Sequence, residues 1–268
     1  MPDPEPPLPP RVGGFRVLAR LGGGGRTYLA AAADGGRVVV KLTGPGETPG
    51  AAAAGAAAHP NLARVVVAGE EGGVRFLATE FVEGETLGAV VRAGGPLPPA
   101  TAVGYAAQAA AGLAHLHDSG WAHGDVKPDN LLVTPFGDVK VIDLGLTTRA
   151  DKPTADPTGF RGTPAFAAPE VLLGRGRPGR RADVFGLGAT LFYLLAGRPP
   201  YPRASAAELV LWLLAGESRP QPRLPAGLPP ALAGVLRRML APDPEARHAD
   251  AGAARAALLA VTAGSPAG

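Results

Sequence analysis

Hydrophobic periodicity changes once along this chain, and that change restricts the fold more than any other feature. From Phe15 to Glu80 the apolar residues alternate as strands do. Phe15 to Arg20 and Thr27 to Ala33 flank a glycine cluster, Asp34-Gly35-Gly36 reads as a hairpin turn, and Val38-Val39-Val40 leads into Lys41. Leu62 to Ala68 and Arg75 to Glu80 supply two more strands, and the Ala- and Gly-rich stretch from Gly44 to Ala58 reads as a short helix with a weak apolar face. Beyond a connection at Thr79 to Val82, residues Val103, Ala107, Ala110, Leu113 and Leu116 recur at three and four positions, which puts one apolar stripe on a helix. Further helices are predicted over Asp183 to Leu195, Ser205 to Leu214, Pro230 to Leu240 and Asp250 to Leu259, with Ser205 and Glu208 as a capping box. The expected class is α+β, with a small antiparallel sheet first and a larger helical part second. A chain of 268 residues suffices for two unequal lobes.

Composition removes several kinds of chemistry. Cysteine is absent, so disulfides, thiolate metal sites and Cys nucleophiles are excluded. Net charge is +3, and the only dense basic group, Arg175, Arg177, Arg180 and Arg181, reads as a solvated loop rather than a nucleic-acid face. The longest apolar run, Val184 to Ala196, is too short to span a bilayer. Met1 to Pro10 reads as a proline-rich arm rather than a signal peptide. A cytoplasmic protein without a membrane segment is expected.

The chemistry concentrates in His123-Gly124-Asp125-Val126-Lys127-Pro128-Asp129-Asn130, followed by Asp143-Leu144-Gly145 and Ala168-Pro169-Glu170. Pro128 keeps Lys127 out of a helix, so Asp125, Lys127 and Asn130 lie on a loop beside one pocket. Phosphoryl transfer needs such a set: a carboxylate for the hydroxyl proton, a cation on the moving phosphoryl group, and Asn and Asp oxygens for Mg²⁺. These motifs resemble the eukaryotic-type serine/threonine protein kinase family, whose catalytic loop, metal-binding turn and activation-segment end follow in this order. The resemblance runs from about Phe15 to about Leu259, and the abundance of Ala, Gly, Arg and Pro points to a GC-rich bacterial source.

The resemblance implies a two-lobed fold over residues 13–262, with 13–79 as small lobe, 80–82 as hinge and 83–262 as large lobe, between a 1–12 arm and a 263–268 flexible tail. It implies Asp125 and Lys127 as catalytic residues and Asn130 and Asp143 as metal holders. Gly22, Gly24, Gly25, Lys41, Glu80 and Val82 join them in binding ATP with Mg²⁺, or Mn²⁺ as the alternative. Thr163 resembles the threonine that bonds the catalytic Asp and Lys in serine/threonine-specific members. Glu170 and Arg247 match a buried ion pair, and Asp183 matches a helix-start Asp that braces the catalytic loop. The implied partner is a protein substrate with a Ser or Thr acceptor; no nucleic acid or membrane partner is expected.

Three departures stand out. The glycine loop Leu21-Gly22-Gly23-Gly24-Gly25-Arg26-Thr27-Tyr28 is about two residues short of the family's G-x-G-x-x-G pattern. The helix glutamate that orients the lysine is replaced by alanines and glycines, which leaves Glu47, the only acid between Lys41 and His59, as the candidate partner of Lys41. Gly124 stands where members switched by activation-loop phosphorylation carry Arg, which implies a constitutive site. Leu144 for the family's Phe is a mild change. Of the histidines, His115 and His117 cannot share a helix face as a metal pair, His123 is read as a packed loop residue, and His59 as a turn. The leading function is thus a serine/threonine protein kinase. A pseudokinase scaffold is the first alternative. A small-molecule kinase of the aminoglycoside or choline type is the second, disfavoured by Lys127-Pro128 and the segment ending at Glu170.

Overall fold

Alternation in the first strands sorts side chains between a packed face and an open one. The computed structural model describes residues 9–22, 26–43, 58–149, 162–176, 178–201, 208–210 and 222–263. Strands β1 (Arg11–Val12), β2 (Phe15–Leu21), β3 (Thr27–Ala31), β4 (Arg37–Thr43), β5 (Val65–Glu71) and β6 (Val74–Glu80) form an antiparallel sheet in the order β1-β2-β3-β4-β6-β5. Ala30, Val38, Val40, Phe76 and Ala78 pack with Phe15 on one face. Because strand side chains alternate, Lys41 leaves β4 on the other face, paired in register with Thr27.

Two strand limits differ from the sequence reading. β3 stops at Ala31 because Ala32–Gly36 form the turn, with the Ala32 N–H donating to Gly36 O at 2.8 Å. β5 begins at Val65, not Leu62, because the preceding residues join the other lobe: Leu62 bridges Val141, and the Ala63 N–H donates to Val141 O at 2.9 Å. The expected 44–58 helix lies outside the described residues except for Ala58, which is not helical, and so does Ser205 of the capping box, while 208–210 are helical.

The second lobe contains β7 (Glu85–Thr86), α1 (Leu87–Gly94), α2 (Pro99–Asp118), β8 (Trp121–Ala122), β9 (Leu131–Val133), β10 (Val139–Val141), β11 (Thr148–Arg149), α3 (Pro169–Leu172), α4 (Arg180–Ala196), α5 (Pro230–Met239) and α6 (Ala251–Ala263). The predicted α2 stripe is buried throughout. Helix α4 is buried on every side from Asp183 to Phe192 and again at Leu194 and Leu195, with Tyr193 half-buried. That explains its continuous apolar run: it is the axis of the lobe. Gly186 lets α4 approach the 123–130 loop, since a Cβ there would stand 2.9 Å from Val126 O. Among the described residues no helix is long and apolar enough to cross a membrane.

Candidate active site

The loop ahead of Asp125 is fixed from beneath. Lys127 is extended (φ −155°, ψ 165°), as its place before proline requires, and Pro128–Asn130 make one 3₁₀ turn. The turn brings Asn130 back to Asp125: Asn130 Nδ2 donates to Asp125 O at 2.8 Å and to Asp125 Oδ2 at 3.1 Å. Lys127 Nζ lies 2.7 Å from Asp125 Oδ2 and 2.7 Å from Thr163 Oγ1, while the Thr163 N–H donates to Asp125 Oδ1 at 3.0 Å. Both carboxylate oxygens are thereby held, and one of the holding segments arrives from residue 163.

Below this, buried Asp183 accepts from the His123 N–H at 2.7 Å and the Gly124 N–H at 2.9 Å. Burial alone would raise its carboxyl pKa, but the hydrogen bond from His117, with His123 and the Gly124 amide, outweighs it and holds the group below the ordinary range. Gly124 has φ +81°, and a Cβ there would meet Leu146 O at 2.9 Å.

Hairpin β9–β10, with Lys140 opposite Leu132, delivers Asp143 to the cleft. Asp143 is the only described non-glycine residue with positive φ (61°), a conformation that costs about 1–2 kcal/mol in an L residue. Its Oδ1 accepts the Gly145 N–H at 3.3 Å, and Leu144 is buried behind it. Lys41 Nζ crosses from the sheet to Asp143 Oδ1 and Oδ2 at 2.7 and 2.8 Å. Burial opposes the Asp143 charge, yet Lys41 prevails, with help from His123 and the Gly145 amide, so its pKa sits below the usual carboxylate value.

These side chains fit a metal-bound nucleotide. Asn130 spends its Nδ2 on Asp125 and its Oδ1 has no donor among the described residues, which leaves an amide oxygen and the Asp143 carboxylate as ligand oxygens. Mg²⁺ typically binds through one or two protein oxygens plus substrate phosphates. No described cluster of three or more His, Asp or Glu forms a separate metal cage.

Of the remaining predicted nucleotide contacts, Gly22 lies at the hairpin with φ +70°, while Gly24, Gly25 and Glu47 fall outside the described residues. Glu80 turns its side chain to the joint between lobes, where Oε1 accepts from Lys140 Nζ at 2.7 Å and the Arg64 N–H at 3.2 Å. Val82 follows the last ladder pair, Val38 with Glu80. Glu170 and Arg247 meet at 2.7 and 2.8 Å with the Arg247 side chain fully buried. The remaining Arg247 donors reach Ala241 O, Arg181 O and Pro242 O, so all five N–H groups are used. His123 is buried, with Nδ1 taking the Asp125 N–H and Nε2 near Ile142 O. Sequence reasoning missed His117, which lies 3.0 Å from Asp183; the two are 66 positions apart, and no spacing joins them.

Comparison with known proteins agrees with this geometry. The chain is 32% identical over 191 residues to the serine/threonine-protein kinase PrkC of Bacillus subtilis, covering 71% of this chain and 29% of that protein. It is 32% identical to PknD of Mycobacterium tuberculosis over 268 residues, 94% of this chain and 40% of the relative. PkaA of Streptomyces coelicolor is 38% identical over 194 residues, 70% and 35% respectively. The chain thus spans roughly a third of the length of these relatives. The family model described as the protein kinase domain matches residues 52–258, which take in the clasped Asp125, the Lys41 partner Asp143 and the Glu170–Arg247 pair, and the chain belongs to that family.

Proposed function

We propose that this chain is the catalytic domain of an ATP-dependent serine/threonine protein kinase, with residues 13–79 as small lobe, 80–82 as hinge and 83–262 as large lobe. The observation that supports it most is the clasp on Asp125, held by Lys127, Asn130 and Thr163. A carboxylate held this way meets the acceptor hydroxyl already oriented, and orientation removes much of the entropic cost of reaction. Asp125 positions that hydroxyl and accepts its proton, and Lys127 neutralises charge on the transferring group. Lys41 and the glycines 22, 24 and 25 hold phosphates, and the Glu80–Val82 hinge receives the base. Mg²⁺, in preference to Mn²⁺, bound by Asn130 and Asp143, supplies positive charge to the phosphates.

Gly124 offers no cation to a phosphorylated loop residue, so transfer does not wait for activation-loop phosphorylation. Thr147 is closed to modification, being buried with its hydroxyl donating to Leu144 O at 2.6 Å. The acceptor is a protein serine or threonine, met in the cytoplasm. Membership of the protein kinase family sets aside the aminoglycoside or choline type. The short glycine hairpin, whose ladder closes at Leu21 with Thr27, favours a nucleotide-binding scaffold as second reading. Incubation with labelled ATP, Mg²⁺ and a generic basic protein decides: label transferred by the parent and not by Asp125→Asn supports the kinase, and nucleotide binding without transfer supports the scaffold.

A further inference from the structure

Residues 59–63, which lead into β5 of the sheet, are docked on α2 and β10 of the other lobe, and Asn61 is the centre of that joint. Its Nδ2 donates to Val139 O at 2.8 Å and to Gln108 Oε1 at 3.3 Å, and its carbonyl accepts the Val141 N–H at 2.9 Å. Gly112 of α2 leaves room for that carbonyl, since a Cβ there would stand 2.4 Å from Asn61 O. The Ala63 N–H completes the docking on Val141 O at 2.9 Å. The Asn61 N–H, in turn, donates to His59 Nδ1 at 3.1 Å. A ring nitrogen that accepts carries no proton, so His59 is neutral here, with its proton on Nε2.

Among the described residues, the groups that bear on this ring are all basic. His115 of α2 stacks on it, with ring centroids 5.2 Å apart and planes 28° apart. Arg255 of α6 and Lys140 of β10 also reach it, Lys140 with Glu80 as its partner at 2.7 Å. Burial lowers the His59 pKa from its ordinary 6.5, and His115, Arg255 and Lys140 lower it further. A proton added to His59 thus acts twice. Entering at Nδ1, it removes the acceptor of the Asn61 N–H and sets two N–H groups against each other; as a charge, it is repelled by the bases around it.

We propose that the His59–His115 stack is a proton-sensitive joint between the lobes: protonation of His59 releases Asn61 from α2 and β10, and transfer slows because Lys41 and Asp143 lose their fixed approach across the cleft. The proposal rests on the kinase reading above. Neither histidine touches substrate or nucleotide in this scheme. A base held below its ordinary value supports the joint in full above about pH 6.5 and withdraws that support as pH falls below it.

His59→Asn separates the acceptor from the charge, because its side-chain oxygen takes the N–H two residues on, as in an Asx turn, and does not titrate. His115→Phe keeps a ring on His59 and removes one base. At about pH 7.5 His59→Asn should transfer phosphate within about twofold of the parent. Between about pH 7.5 and about pH 5.5 the parent should lose about three- to tenfold more rate than His59→Asn, with His115→Phe losing less than the parent. Parallel pH profiles for the parent and His59→Asn would overturn the proposal, as would a His115→Phe profile that falls more steeply than the parent's. Hydrogen exchange at the Ala63 and Val141 amides, corrected for its intrinsic pH dependence, reads the joint without turnover. Protection lost in the parent at about pH 5.5 and kept in His59→Asn is expected, and equal protection in both counts against the proposal. In the unmodified protein the ring ¹⁵N shifts of His59 should report a bare Nδ1 at about pH 7.5 that gains its proton in step with the loss of that protection. A proton on Nδ1 from the start, or one gained with protection intact, sinks the proposal even if neither variant folds. A parent that transfers no phosphate at any pH defeats the kinase reading and leaves the exchange measurement to decide on the joint.

Discussion

The two sides of the cleft are secured differently. On the large-lobe side the ionic groups are saturated: Asp125 is gripped by Lys127, Asn130 and Thr163, Asp183 by His117 and two amides, and Glu170 by a fully buried Arg247. On the sheet side Lys41 has Asp143 as its described carboxylate partner, which belongs to the other lobe, and both side chains are about 30% exposed. Pairs at such exposure contribute little to stability. The difference teaches that the Asp125 clasp is built within one lobe, whereas the Lys41–Asp143 pair is completed only when the lobes meet.

The strongest way to break that contrast is Arg247→Ala. It leaves the Glu170 charge without its buried partner and strips three backbone carbonyls of their donor, so chemical denaturation should show a loss of about 3–5 kcal/mol. A loss below about 1 kcal/mol would mean that the large lobe is not keyed here. Asp183→Asn comes next, at about 1.5–3 kcal/mol for hydrogen bonds to a charged group. The sign with pH is fixed: a carboxyl held below its unfolded value of about 3.9 contributes fully above that pH and loses its contribution as pH falls through the folded value. The stability gap between parent and Asp183→Asn should therefore be widest above about pH 5 and narrow below about pH 4. A gap independent of pH would remove ionisation from the account.

Asp143→Ala sharpens the comparison by acting on the phosphate side. Mg²⁺-dependent nucleotide affinity should fall by about 10- to 100-fold, or about 1.4–2.7 kcal/mol, while Asp125→Asn keeps affinity within about threefold. Equal losses in a calorimetric titration would erase the division of labour. The smallest effect belongs to Gly124→Arg. A side chain at φ +81° beside Leu146 O should cost about 1–2 kcal/mol in melting experiments and bring no phosphorylation-dependent gain in rate. A variant that is as stable as the parent and gains activity after phosphorylation would show that position 124 alone decides the switch.

Legibility in the sequence follows the range of the interaction. Asp125, Lys127 and Asn130 could be read together because a single 3₁₀ turn after Pro128 converges them, and the α2 stripe could be read because helical packing is periodic. The start of β5 could not, because Leu62 and Ala63 are taken by Val141 from far along the chain, a competition no local pattern records. The partner of the Glu80 side chain could not be read either: it is Lys140, 60 positions away. His117 had no sequence signal, since a helix-end histidine looks the same whether it faces water or a buried aspartate.

The Glu170–Arg247 pair also orders events in time. The chain is made from its N-terminus, and Glu170 leaves the ribosome 77 residues ahead of the guanidinium that will neutralise it. His117 waits longer still, 134 residues, for the Ala251 amide that its Nδ1 accepts. Residues 123–130 wait for Thr163 and Asp183, and the large lobe can complete its pairings only after Arg247 and Ala251 have been made.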